Sequence, residues 1–199
     1  MQQRVVRQRM TGQRMMRQRL ALVFKYTVYG LLIANVGLLF RSAGADQFVP
    51  YKAVDQVGWL LILGVFEWET RHPAGDRRRH IGGWPIVAEL LGYGCALLAL
   101  GHYIADRNGV DIVNAIVWLA ISAMIWLDIL APVAAGTVAH RRRTLAKSIL
   151  YAGVLGCAVT WGIEGALLDF YDAALWILCF FAIEMNLLRI EPPQRMAMA

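Results

Sequence analysis

The apolar residues of this chain come in six blocks, each about as long as a helix that crosses a lipid bilayer. A spanning helix needs roughly 20 mostly apolar residues, because the backbone finds no water to bond inside the hydrocarbon. The blocks therefore predict an all-α integral membrane protein, a multi-pass bundle of six transmembrane helices. They cover residues 20–40, 54–70, 84–104, 111–131, 146–164 and 172–189.

Composition and linker length agree with this prediction. The chain is 58% hydrophobic and 17% charged, whereas soluble domains have roughly 45–50% apolar and about 25% charged residues. Only short polar stretches separate the blocks, so we expect one membrane domain at 20–190. A basic N-terminal arm at 1–19 precedes it and a short tail at 191–199 follows it, both predicted to be cytoplasmic.

The basic residues orient the predicted bundle. Seventeen of the 20 Lys and Arg residues lie on one side, and the three others are Arg41, Lys52 and Arg107. Cytoplasmic loops collect Lys and Arg, so both termini are expected inside, in a membrane of the bacterial inner (cytoplasmic) type.

Two basic clusters and the arm predict anionic lipid headgroups as partners, because each basic residue near such a surface contributes about 1 kcal/mol. The candidate lipid-facing residues are Arg77, Arg78, Arg79, Arg141, Arg142 and Arg143. A second copy of the chain or another membrane protein remains an open alternative as partner. Nucleic acid is not expected, since no aromatic residues interleave the basic residues of the arm.

A spaced pattern recurs in the even-numbered blocks. A polar residue is followed four positions later by Trp, and in two blocks by Glu eight positions after that. The members are Asp55, Trp59 and Glu67; Asn114 and Trp118; and Asp172, Trp176 and Glu184. The pattern predicts three tandem helical hairpins of one orientation, a plan that some transporters use. Duplication alone does not define a function.

Several charged residues fall in the cytoplasmic halves of the predicted helices. A charge inside the bilayer costs a few kcal/mol unless it is paired, hydrated or protonated. These residues form a candidate intramembrane charge cluster that consists of Glu67, Glu69, Asp128, Glu184, Lys25 and Lys147. Two interpretations stay open: ion pairs that fix helix register, or a ring that closes the cytoplasmic mouth of a path.

The remaining polar and small residues have structural interpretations. Asp55, Asp111 and Asp172 precede apolar blocks, where a carboxylate caps free backbone N–H groups. Trp59 and Trp161 are expected at the outer interface, in an aromatic belt. Close helix approach is expected at small residues, namely Gly30, Gly37, Gly94, Gly101, Gly153 and Gly156.

The sequence carries no enzymatic motif, neither a nucleophile–base pattern nor a Walker A or HExxH motif. Its three cysteines have no CxxC spacing, so we expect no enzyme, no cofactor and no metal site. Two functions stay open. One is a small channel or transporter for ions, protons or small solutes. The other is a non-catalytic scaffold or accessory subunit that binds lipid or a partner protein through its basic loops.

Overall fold

The protein is described by a computed structural model that covers residues 2–41, 50–71 and 83–187, and every regular element in these ranges is an α-helix. The described part of each predicted apolar block coincides with one helix, so the all-helical prediction is confirmed. The helices are α1 (Gln2–Arg41), α2 (Pro50–Arg71), α3 (Trp84–Ala105), α4 (Gly109–Leu130), α5 (Val138–Glu164) and α6 (Leu167–Leu187).

Four of these helices are long and apolar enough to cross a membrane: α1 over Leu22–Arg41, and α3, α4 and α5. Within the described residues α2 and α6 are not among them. Helix α2 carries charges at both of its ends, with Lys52 and Asp55 near its start and Glu67 near its finish. These charges lower its mean hydropathy although the middle of the helix is apolar.

The helices pack in chain order into a closed ring, in which each contacts the next and α6 returns to α1. They alternate in direction. At one end of the ring α1, α3 and α5 finish and α2, α4 and α6 begin. There Tyr51 of α2 bonds Asp106 after α3, and Lys52 bonds Asp169 of α6. We call this end of the ring the cleft end, after the polar cleft that opens there, and we call the other end the opposite end.

The outer surface of the ring is apolar. Leu90 of α3 is 67% exposed, Leu98 is 66% exposed, and Ile149 of α5 is 63% exposed. Soluble monomers rarely expose large continuous apolar surfaces, whereas lipid chains solvate them. The exposed leucines and isoleucines therefore suit a hydrocarbon environment.

Helices α2 and α3 approach each other closely at two glycines. A Cβ added to Gly58 would lie 2.8 Å from the carbonyl oxygen of Gly92, and a Cβ on Gly92 would lie 2.8 Å from the carbonyl oxygen of Gly58. Any side chain there would force the two backbones apart.

The glycines singled out from the sequence do not have this role, so that expectation is wrong. Among the described residues, an added Cβ at Gly153 would meet Val117, at 3.5 Å, and an added Cβ would meet no atom within 4 Å at Gly30, Gly37, Gly94, Gly101 or Gly156. The sequence shows a glycine's presence on a helix but not the face it occupies.

Helix α1 is longer than a membrane span. Its 40 residues make a helix of about 60 Å at 1.5 Å per residue, against a hydrocarbon core of about 30 Å. The segment 2–19, predicted as a separate arm, is helical and continuous with the apolar part of α1.

Candidate functional site

The three tryptophans of the sequence pattern meet at the centre of the ring. The ring centroids of Trp59, Trp118 and Trp176 lie 6.2, 6.3 and 6.5 Å apart, within the range of about 4.5–7 Å at which aromatic pairs attract. All three are buried, and Phe180 packs 4.7 Å from Trp118. We call this set of three rings the tryptophan triangle.

The aromatic-belt expectation is therefore wrong for Trp59, and also for Trp161, which is buried near the end of α5. An indole ring at an end of a helix can face inward or outward, and the sequence position alone does not distinguish these orientations. In contrast, Trp84 at the start of α3 is exposed and packs against Trp68.

A polar cleft of about 520 Å³ opens at the cleft end. A smaller cavity of about 230 Å³ is lined by the tryptophan triangle and shares four lining residues with the cleft: Asp55, Gln56, Asn114 and Asp172. Three of these four residues, Asp55, Asn114 and Asp172, each stand four positions before a tryptophan of the triangle. About one turn of helix therefore separates each of them from its tryptophan. The polar wall of the cleft is completed by Asn35, Lys52, Tyr103, Asp111 and Asp169.

Asp172 is held by neutral donors. The amide of Asn35 donates to Oδ1 at 2.6 Å, and the amide of Gln56 donates to Oδ2. The indole N–H of Trp176 donates in turn to the side-chain oxygen of Gln56 at 3.0 Å. These bonds fix the carboxylate above the triangle, and neither amide brings a charge that would neutralise it.

Asp55 and Asn114 each keep an oxygen without a partner. The hydroxyl of Tyr103 donates to Oδ2 of Asp55 at 3.2 Å. The Oδ1 atoms of Asp55 and Asn114 are buried and accept no hydrogen bond from the residues that the structure describes. A buried acceptor left unsatisfied costs about 1–3 kcal/mol. Both residues line the two cavities, so a hydrogen-bond donor placed there would satisfy them.

Lys52 brings a positive charge into the cleft. Its ammonium lies 2.9 and 3.0 Å from the two oxygens of Asp169 and 3.7 Å from Asp111. Asp111 also accepts a bond from Asn108 at 2.6 Å. Among the described lining residues one lysine thus stands against four carboxylates: Asp55, Asp111, Asp169 and Asp172. The cleft is therefore rich in acidic side chains.

Part of the predicted charge cluster comes together at the opposite end. Lys25 of α1 forms a salt bridge with Glu67 of α2. The hydroxyls of Tyr26 and Tyr29 donate to the same carboxylate at 3.4 and 3.2 Å. Neither Lys25 nor Glu67 lines the polar cleft.

The second part of the predicted charge cluster lies between α4 and α5. There the carboxylate oxygens of Asp128 lie 3.1 Å from the ammonium of Lys147 and 3.0 Å from the guanidinium of Arg143. The side chains of Glu69 and Glu184 lie outside the described part of the structure. The structure therefore places two ion-paired groups at this end, and a functional role for the cluster stays a prediction.

The structure describes one of the two basic clusters that were predicted to face lipid headgroups. Arg77, Arg78 and Arg79 lie outside the described residues. Arg141 and Arg142 are exposed in the first turn of α5. Arg143 differs from the lipid-facing prediction, since its guanidinium donates to the carbonyls of Leu127 and Ala131. It satisfies free carbonyls at the end of α4, besides pairing with Asp128.

The capping prediction is wrong for Asp55 and Asp172, and this error concealed the cleft. Helix α2 begins at Pro50 and α6 at Leu167, so each carboxylate stands more than a turn inside its helix. Asp111 does lie in the first turn of α4, behind the N-cap Asn108. The signal that could have revealed the site was the shared four-residue spacing to Trp59, Trp118 and Trp176.

The described part of the protein is all-helical, and four of its helices are long and apolar enough to cross a membrane. This combination is typical of a multi-pass membrane protein. No family model, no curated protein and no solved structure matches the chain. Within the described residues, His, Cys, Asp and Glu side chains form no group of three that could hold a metal ion.

Proposed function

We propose that the protein is a non-catalytic, six-span membrane transporter that receives a small solute in the polar cleft. The observation that carries the proposal is the cleft itself, a cavity of about 520 Å³ at one end of the ring, lined by four carboxylates and one lysine among the described residues. Its polar wall contrasts with the apolar outer surface of the ring.

The proposal includes α2 and α6 as spanning helices. Their charged residues near the cleft end contact other protein groups, as Lys52 contacts Asp169 and Asn35 contacts Asp172. Charged residues in transmembrane helices face the bundle interior or a cavity. The lower hydropathy of α2 is therefore compatible with spanning. Both helices also present apolar side chains on the outer surface, such as Leu61 of α2 and Phe181 of α6.

The cleft is proposed to open to the outside, with both termini in the cytoplasm, because Lys and Arg collect on cytoplasmic loops. The tryptophan triangle then closes the cleft from below. The pair of Lys25 with Glu67, and the contacts of Asp128 with Arg143 and Lys147, form a second closure at the cytoplasmic end. This arrangement corresponds to an outward-open state of a transporter.

Uptake into liposomes tests the proposal. We expect saturable uptake of at least one of four radiolabelled probes of different charge: choline, putrescine, alanine and glucose. Asp172→Asn should lower this uptake at least fivefold. Asp106→Asn is the matched control, because Asp106 is an exposed acid at the same end that does not line the cleft. Uptake no faster than in empty liposomes for all four probes would contradict transport.

The alternative is a scaffold or accessory subunit that binds lipid or a partner protein. Arg141 and Arg142 favour it, since they are exposed in the first turn of α5. Isolation from native membranes in mild detergent tests this alternative. A co-purifying protein that is lost in the Arg141→Ala, Arg142→Ala double variant would support it, and isolation without any partner would count against it.

A further inference from the structure

The two acidic side chains next to the tryptophan triangle accept hydrogen bonds from neutral groups. Asp172 accepts from two neutral amides and Asp55 from a neutral hydroxyl. The described salt bridges of Lys52 go to Asp111 and Asp169 instead. Two carboxylates therefore face the smaller cavity without a direct cationic partner among the described residues. A carboxylate in such a place needs a positive charge or a proton.

The unpartnered acceptors restrict what that positive charge is. Within the described part of the chain, Oδ1 of Asp55 and Oδ1 of Asn114 accept no hydrogen bond, and both residues line the small cavity. Each oxygen needs a donor. An ammonium has up to three N–H donors and a guanidinium has five, whereas a quaternary ammonium has none. The acceptors therefore favour a cation that carries N–H groups.

The floor of the cavity favours an apolar or aromatic body on the same ligand. Trp59, Trp118 and Trp176 line the cavity together with the polar groups. Tryptophan is the strongest partner in cation–π contacts, and its faces also pack against flat apolar groups. The three rings are in mutual contact, with centroids 6.2–6.5 Å apart, so a ligand would lie between the rings and the carboxylates.

We propose that this cavity binds a small organic cation with N–H donors, an amine or a guanidinium. Its charged group lies between Asp55 and Asp172 and donates to Asp55 and Asn114, and its apolar part lies against the tryptophan triangle. This inference deepens the proposed function and rests on it, because it names the class of solute that the cleft receives.

A set of related ligands tests the proposal on the wild-type protein in detergent, by isothermal titration calorimetry at pH 7. Benzylammonium offers charge, donors and an aromatic ring. Benzyltrimethylammonium keeps the charge and lacks donors, and benzyl alcohol keeps a donor and lacks the charge. We expect saturable binding of benzylammonium, with the other two at least tenfold weaker. Equal affinity for benzyl alcohol, or no binding of benzylammonium, would overturn the proposal.

Variants then locate the site. Asp55→Asn removes one charge next to the unsatisfied Asn114, and we expect it to weaken benzylammonium binding at least tenfold. Asp106→Asn, outside the cleft, should leave the affinity unchanged. Helical circular dichroism and gel-filtration profiles identify any variant that fails to fold, and in that case the ligand series on the wild-type chain still decides. Equal binding by folded Asp55→Asn would contradict this site.

The two proposals can fail separately. Uptake of a neutral or zwitterionic probe, with no binding of benzylammonium, would leave the transporter standing and remove the cationic class of solute. Binding of benzylammonium without uptake of any probe would keep the cation site and remove transport.

Discussion

At the scale of single residues, the two acidic positions at the opposite end differ in burial. The side chain of Glu67 is 15% exposed, and its carboxylate also accepts from Tyr26 and Tyr29. The side chain of Asp128 is 34% exposed. Breaking a buried ion pair from one side leaves an uncompensated charge, whereas an exposed pair contributes little.

We therefore predict that Lys25→Met destabilises the protein by about 3 kcal/mol, because it leaves the Glu67 carboxylate buried without its cation. The Lys25→Met, Glu67→Gln double variant should recover most of this loss. The measurement is the free energy of unfolding in mixed detergent micelles.

Asp128→Asn is the comparison for this prediction, and it should cost at most about 1 kcal/mol. A double variant as unstable as Lys25→Met alone would show that the pair is not the source of the effect.

The sequence alone identified some of the polar residues that group together in the structure, but not others. It marked Lys25, Glu67, Asp128 and Lys147 because a charge inside an apolar block is visible in the sequence. It did not mark Asn35, Gln56 or Tyr103 as one group, because these come from three helices that only the closed ring brings together.

At the scale of helices, the α2–α3 contact depends on the face that each glycine occupies. Gly92 lies against Gly58 of α2, whereas Gly94, two positions later on α3, has nothing within 4 Å of an added Cβ. The two positions are about 200° apart around the helix. They form a matched pair for testing the contact.

We predict that Gly92→Ala destabilises the protein by about 1–3 kcal/mol, since its Cβ would lie 2.8 Å from the backbone oxygen of Gly58. Gly94→Ala should be neutral or stabilising by up to about 1 kcal/mol, because alanine favours the helix. Unfolding in mixed micelles measures both. Equal effects of the two variants would contradict a close helix contact at Gly92.

The helices themselves were largely predictable, because hydrocarbon demands long apolar runs that are visible in any sequence. Their starts were not. The helices α2 and α6 begin four and five residues before the apolar blocks at 54 and 172, since polar residues continue a helix when they face a cleft. The misplacement of Asp55 and Asp172 as caps follows from those starts.

At the scale of the whole molecule, the alternation of helix direction gives a test of the six-span topology. Asn108 lies in the turn between α3 and α4, and Ala135 lies between α4 and α5. Both residues are exposed. They stand at opposite ends of the ring, so a membrane would separate them.

We predict that a membrane-impermeant thiol reagent labels Asn108→Cys from the outside of cells, and labels Ala135→Cys only in inverted vesicles. The wild-type chain is the control, because Cys157 and Cys179 are buried and Cys95 is half-buried. Labelling of both variants from one side would contradict the topology, and labelling of Ala135→Cys from outside would reverse the orientation of the cleft.

The tryptophan triangle also has a spectroscopic consequence. Three indoles held at fixed angles, 57–63° between ring planes, form one coupled chromophore. Ordered aromatic packing produces near-ultraviolet circular dichroism, which disappears when tertiary packing is lost while helices persist. The near-ultraviolet circular dichroism of these three indoles therefore reports on the packing of α2, α4 and α6, and no attached label is needed.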